Sequence, residues 1–402
     1  MYSYKLNIPK AEHDAFVTNS TQTTVFQSSD WALVKDDWKS GRIGIYEDDQ
    51  LKAVAAFLIR PIALGKTMMY IPRGPILDYQ DEKLLAYTLT RIKAIAKTHK
   101  ALFVKFDPYI HRQVHNGDQH KTNNPHANSI ITRLQNLGCT WLGFTESMAD
   151  TIQPRFQAVN YSQDFSEDIL SKKTRQAIRT ARNKGVAISF GGVETLDVFT
   201  DLMKKTEDRK SIHLRGKDYY KKLLTIYPDQ SFITIASLDV KKRLTQLESD
   251  ISKSQAQLSK YSANTKPSKI KATEDDIARL EEEKAFLAPY KAMGVIPLAG
   301  TLSIGFGETS ENVYAGMDAE FRRYQAPLLL WFETAQHAFD LGNEWQNMGG
   351  IENNLDGGLY DFKSKFEPHI EEFIGEFNLP TSPLYRLTNF AYTLRRKWRS
   401  SH

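Results

Sequence analysis

Two stretches of this 402-residue chain carry the same order of elements while sharing little sequence, and that repeat limits the fold more than any other feature. In the first, strand-type patterning at 44–46, 52–58 and 67–70 precedes a helical stretch at 83–98 and a strand at 101–106. Leu84, Leu85, Leu89, Ile92 and Ile95 recur at helical spacing, so one face of that helix must be buried. In the second, strands near 232–237, 294–305 and 312–317 lead into a helix at 327–341 and a short strand-like segment at 344–348. The repeat predicts an α/β (α+β) protein of two related units, each a mainly antiparallel sheet with packed helices.

The second unit is interrupted. Residues 241–290 hold 10 basic and 8 acidic side chains and read as an inserted helical hairpin. Leu244, Leu247, Ile251, Leu258 and Tyr261 follow coiled-coil spacing, as do Ile277, Leu280, Lys284 and Leu287, and Pro267 within 264–268 makes the bend. The stretch 241–271 carries 8 basic and 2 acidic residues and 272–290 carries 2 and 6, which favours antiparallel self-pairing. A self-satisfied arm and a polyanion-binding arm both stay open. The domain plan is 1–145, then 146–240 with 291–377, the arm at 241–290, and a C-terminal helix over 378–402.

Cys139 is the single cysteine, so no internal disulfide forms, and residues 1–30 contain no stretch resembling a signal peptide. The apolar run at 53–59 falls far short of the roughly 20 residues that span a bilayer. A cytoplasmic protein is expected. The net charge of +5 decides little, but its placement is informative. A helix over 166–185, with Ser166 as N-cap and Gly185 as stop, puts Lys172, Arg175, Arg179 and Arg182 on one face with no acid among them. Such a stripe fits phosphate or nucleic acid, or a solvated surface. Near the end, Leu387, Phe390, Ala391, Leu394 and Trp398 lie at helical spacing beside Arg386, Arg395, Arg396, Lys397 and Arg399. That helix either packs on the first unit or lies on an anionic membrane surface.

Arg182-Asn183-Lys184-Gly185-Val186-Ala187 matches the pattern with which acyl-coenzyme A enzymes cradle a pyrophosphate at a helix start. Here the glycine ends a helix, so the match is expected to be chance. His111, His115, His120 and His126 follow no zinc spacing and read as loop histidines without a metal. In Phe103-Val104-Lys105-Phe106-Asp107-Pro108-Tyr109, a strand ends in an acid that Pro108 fixes at the sheet edge. Asp before Pro is equally a turn starter.

Several strings occur in a telling order: Phe26-Gln27-Ser28-Ser29-Asp30-Trp31, Tyr70-Ile71-Pro72-Arg73-Gly74-Pro75, Asp107-Pro108, residues 209–220, and Gly358-Leu359-Tyr360-Asp361-Phe362-Lys363. Together with the helical insertion they resemble the Fem/MurM (FemABX) family of peptidoglycan-bridge aminoacyltransferases over nearly the whole chain. The amino-terminal half is most similar to MurM-type members, which add the first bridge residue. The resemblance implies two tandem GNAT-like domains with a coiled-coil arm. It also implies transfer of an amino acid from aminoacyl-tRNA to the side-chain amine of the third stem-peptide residue, usually Lys. The acceptor is lipid II or UDP-MurNAc-pentapeptide, so peripheral contact with the inner membrane surface is expected, and no coenzyme A or other cofactor is used.

The same resemblance assigns roles. Lys363, preceded by Phe362 on the substrate side, would stabilise the tetrahedral intermediate; Lys35 and Arg215 would bind the acceptor phosphates; Tyr219 and Tyr314 would line the acceptor channel. Asp107 would bind or deprotonate the acceptor ammonium. Some members place a tyrosine a few residues before this acid, where this chain has Leu102 and Phe103. Two rival readings stay open: an acyl-coenzyme A N-acyltransferase on the same fold, and a non-catalytic RNA-binding protein using the stripe and arm.

Overall fold

A computed structural model of the chain describes residues 1–116 and 120–385. The strands among them are β1 (Tyr2–Leu6), β2 (Lys39–Glu47), β3 (Gln50–Pro61), β4 (Thr67–Ile71), β5 (Ala101–Phe106), β6 (His111–Asn116), β7 (His120–Asn123), β8 (Thr140–Trp141), β9 (Phe156–Tyr161), β10 (Val186–Gly191), β11 (Ser231–Asp239), β12 (Val295–Phe306), β13 (Thr309–Met317), β14 (Trp345–Ile351), β15 (His369–Phe373) and β16 (Phe377–Pro380). One sheet runs β1-β2-β3-β4-β5-β16-β8 and the other β10-β11-β12-β13-β14-β9-β15-β6-β7.

Neighbouring strands are antiparallel except for two pairs, β4 with β5 and β13 with β14. A helix joins each parallel pair, Glu82–Thr98 in the first sheet and Ala326–Asp340 in the second, because parallel strands need a crossover rather than a tight turn. The repeated order in the sequence is therefore a repeated βαβ crossover set among antiparallel strands. Asp81 caps the first crossover helix by accepting from Leu84 N–H at 2.9 Å, and the expected Leu84, Leu85, Leu89, Ile92 and Ile95 are its buried face.

The first sheet packs on the Glu82–Thr98 and Ala127–Asn136 helices, and the second on the Lys172–Asn183 and Ala326–Asp340 helices and the base of the arm. A third core joins the two halves: Tyr46, Val54, Leu58 and Tyr70 of the first sheet pack with Phe199, Leu202, Tyr220, Leu302 and Ile304 of the second half. The cleft described below is built on this joint.

The arm is the helical pair Val240–Ser259 and Pro267–Leu287. Its antiparallel pairing is seen in Lys284 with Glu248 at 3.0 Å and Arg243 with Glu283 at 2.8 Å. Glu283 is buried and also takes Lys184 at 3.1 Å, which ties the arm to the end of the basic helix.

The structure corrects several expectations. The basic helix begins at Lys172, capped by Ser171 accepting from Thr174 N–H; Ser166 precedes a separate short turn, Glu167–Ile169, and the chain between is extended. His111 and His115 lie on β6 and His120 begins β7, an antiparallel pair added to the edge of the second sheet, so 111–116 and 120–123 leave the first unit; His126 sits just before the Ala127–Asn136 helix. The helix expected from 378 is a strand at its start, since buried Phe377 and Leu379 alternate with Asn378 and β16 inserts between β5 and β8. The rest of that helix, with its basic and apolar residues from Arg386 on, lies outside the described residues. Gly185 has φ +81° at the end of its helix, the wrong end for a phosphate cradle.

Candidate active site

Lys35 follows the short Trp31–Val34 helix of the first half, and Arg215 and Tyr219 come from the loop and helix that open the Lys217–Ile226 segment of the second. The joint brings them together. Lys35 Nζ donates to Tyr219 Oη at 3.3 Å and lies 5.2 Å from the Tyr219 ring and 5.9 Å from the Trp31 ring. The Arg215 guanidinium is also 5.1 Å from the Tyr219 ring, and Tyr314 on β13 meets that ring edge-on at 6.1 Å. Arg215, Tyr219 and Tyr314 line a cleft of about 580 Å³. Burial, then the Arg215 and Lys222 charges, hold the Lys35 ammonium below the usual lysine range. Two cations forced together with aromatic walls make a site that an anion relieves.

Strand β13 pairs with β14 over Thr309–Glu311, and Lys363 meets β14 just past that ladder, at Gly349 and Gly350. It ends the Gly358–Lys363 helix, whose first N–H groups at Leu359 and Tyr360 donate to the Glu352 carboxylate at 3.0 and 2.9 Å. The Lys363 side chain is buried, donates to Gly350 O at 2.8 Å and sits 5.9 Å from the Trp331 ring. Gly349 beside it holds φ +86°, a backbone conformation that favours glycine, and a Cβ there would meet Lys363 Nζ at an ordinary contact distance of 3.4 Å. Burial pushes the ammonium down to about 7, opposed by Glu352 and aided by Lys210. Phe362 packs edge-on against Trp331 at 5.8 Å beside it.

Asp107, 2% exposed, is held at both oxygens. Tyr70 Oη donates to Oδ2 at 2.8 Å and the Arg73 main-chain N–H to Oδ1 at 2.5 Å. Burial raises its carboxyl to about 7, against the lowering effect of the Arg73 charge and with Glu376 adding to the rise. Arg73 is itself buried, over the Phe373 ring at 3.9 Å, and donates to Pro154 O at 2.9 Å. Pro154 abuts Gly350, whose carbonyl holds Lys363, so a continuous set of contacts links the acid to the lysine.

The basic stripe stands apart from this cluster. Arg182 is engaged by Glu167 at 2.6 Å and by Glu333 at 2.9 Å, and Arg175 lies 4.0 Å from Asp168. Glu333 and Trp331 share the Ala326–Asp340 helix, which thus runs from the stripe to Lys363. Tyr70, Arg73, Trp331 and Glu352 were not singled out from sequence, although Tyr70 and Arg73 stand inside one of the strings that carried the resemblance. Of the histidines, His111 Nε2 faces Glu371 at 3.2 Å.

Two crossover units with a helical arm let into the second define a tandem α/β protein. The chain belongs to the FemAB family, whose model matches residues 8–393. It is 27% identical over 409 residues to the lipid II:glycine glycyltransferase of Staphylococcus aureus (strain USA300), covering 95% of this chain and 94% of that one. The crystal structure of FemX superposes with a TM-score of 0.75 at 27% identity, over 96% of this chain and 99% of its own. A tandem GNAT protein from the clavulanic acid biosynthesis pathway matches at a TM-score of 0.49 and 8% identity, over 95% and 99% of the two chains.

Proposed function

We propose that this chain is a lipid II aminoacyltransferase that moves an amino acid from aminoacyl-tRNA to the side-chain amine of the third stem-peptide residue, a lysine, building the peptidoglycan interpeptide bridge. The observation that carries it is the cationic, aromatic cleft at the joint, together with a buried lysine and a buried acid that Arg73, Pro154 and Gly350 tie to each other. Family membership and the likeness to a lipid II:glycine glycyltransferase support it.

In this reading Lys35 and Arg215 grip the acceptor pyrophosphate while Tyr219 and Tyr314 guide the chain behind it. Asp107, as carboxylate, takes a proton from the acceptor ammonium. The freed amine attacks the ester carbonyl and the C–N bond forms. Lys363, as ammonium, stabilises the oxyanion. Collapse breaks the ester C–O bond, and the ribose hydroxyl leaves with the second proton of the attacking nitrogen. Aminoacyl-tRNA is the co-substrate, and no further cofactor is invoked. Among the described residues no helix is long and apolar enough to cross a membrane. A lipid-linked acceptor would be met at the inner surface by peripheral contact.

Incubating the purified chain with lipid II and charged tRNA, in parallel with UDP-MurNAc-pentapeptide as acceptor and acetyl-coenzyme A as donor, tests the reading. Transfer from tRNA to lipid II is expected. Transfer from acetyl-coenzyme A alone would replace it with the acyltransferase reading.

Arg215 is exposed and outside the cores, so Arg215→Met leaves the fold intact. It is expected to raise the acceptor KM by about tenfold or more, the worth of a charge-assisted contact to phosphate. Unchanged acceptor kinetics in the folded variant would remove the residue from the site.

For the tRNA, Lys172, Arg175 and Arg179 are the cations of the stripe with most room for phosphate, since Arg182 is held by two acids and Arg175 meets Asp168 only at 4.0 Å. Neutralising these three is expected to weaken charged-tRNA binding and to reduce the slope of log affinity against log salt by about 2 to 3. Normal binding by this variant would assign the stripe to another partner.

A further inference from the structure

We infer that Tyr70 and Glu376 are positioning residues for Asp107: Tyr70 fixes the plane in which the carboxylate presents its free lone pairs, and Glu376 is a second buried carboxylate that strand register sets beside it. The inference rests on the reading of Asp107 as proton acceptor.

The geometry comes from strand register. In the antiparallel pair of β16 with β5, Phe377 stands opposite Phe106 and Asn378 opposite Lys105, so Glu376 is delivered beside Asp107. Glu376 is 2% exposed and is itself fixed, by Lys105 Nζ at 2.6 Å and by the Ile152 main-chain N–H. Each of its carboxylate oxygens is thus engaged. From the other side, Tyr70 on β4 reaches Oδ2 while Arg73 N–H holds Oδ1. Each carboxylate oxygen keeps a second lone pair, so two donors lock the plane and leave the acid able to accept from an ammonium.

Asp107 is also faced by the Arg73 guanidinium, and its charge is felt at Tyr79. Beyond Arg73 lie buried Glu311 and Glu371, which share that guanidinium's field and His111 respectively. Within this set Tyr70 and Glu376 act with opposite sign. The Tyr70 hydroxyl stabilises the carboxylate and Glu376 disfavours it.

The test uses the full chain and three variants: Tyr70→Phe, Glu376→Gln, and the Glu376→Gln/Lys105→Met pair. The pair serves if the single change leaves Lys105 unpartnered and the fold suffers. Difference infrared spectra, each background minus its Asp107→Asn counterpart, report titration of the Asp107 carboxyl without needing turnover. The midpoint is expected to rise by about half to one pH unit in Tyr70→Phe and to fall by a similar amount when Glu376 is neutralised. Tyr70→Phe is further expected to lower kcat about tenfold with an unchanged KM. Midpoints that stay put, or that move the same way in both, overturn the inference. Absence of any transfer by the unmodified chain would sink the functional reading alone, and the spectra would still decide this one.

Discussion

Lys363→Met is expected to lower kcat by about a hundredfold or more while the acceptor KM stays unchanged, because the lysine acts on the oxyanion and not on the pyrophosphate. The structure adds a second, opposite readout. A lysine whose ammonium is pushed from 10.5 to about 7 by burial makes folding less favourable, since the unfolded chain holds that proton more tightly. The penalty is absent above about 10.5, grows as the pH falls toward about 7, and stays constant below. Melting temperatures taken across this range should therefore show the methionine variant gaining on the parent toward neutral pH. A variant that keeps its kcat, or one that loses stability at neutral pH, would show Lys363 to be a packing residue.

Asp107→Asn is expected to cost about 10²–10⁴ in kcat, the usual worth of a positioned base. Its pH signature is specific. Asp107 must be ionised, so activity should climb through about 7 on the acid side. Lys363 must be protonated, so activity should decline above about 7. The parent profile is then a bell centred near neutrality, and the asparagine variant should lose its acid limb. Retention of that limb would point to the leaving ribose oxygen as the proton relay, with Asp107 only holding the acceptor.

The parts of this molecule that a reader can find in the sequence are the local ones. The Glu82–Thr98 face and the arm seam at Leu244, Leu247, Ile251, Leu280 and Leu287 are periodic within a few turns, and they are buried where the spacing put them. What stayed hidden depends on pairing between distant segments. Leu102 and Phe103 occupy positions where a tyrosine was looked for, yet the hydroxyl on Asp107 arrives from Tyr70 on the adjacent parallel strand, 37 residues away. Spacing along a chain cannot announce a partner set by strand register. The histidines are the same case, because the β6–β7 pair becomes regular by joining β15, some 250 residues later. Lys363 was found through its string, but its burial was not legible, since the pocket that takes it is made by Gly349, Gly350 and Trp331 from other elements.

The place of β16 has an outcome for synthesis. Because this strand lies between β5 and β8, the amino-terminal sheet cannot close its hydrogen-bond ladder until residue 380 has left the ribosome. During translation the open side of β5 is an unprotected edge, the kind of surface that pairs with other chains. Cutting the polypeptide before Phe377 would injure its beginning. The two halves therefore mature together, and Asp107, at the end of β5, acquires Glu376 beside it only at that last step.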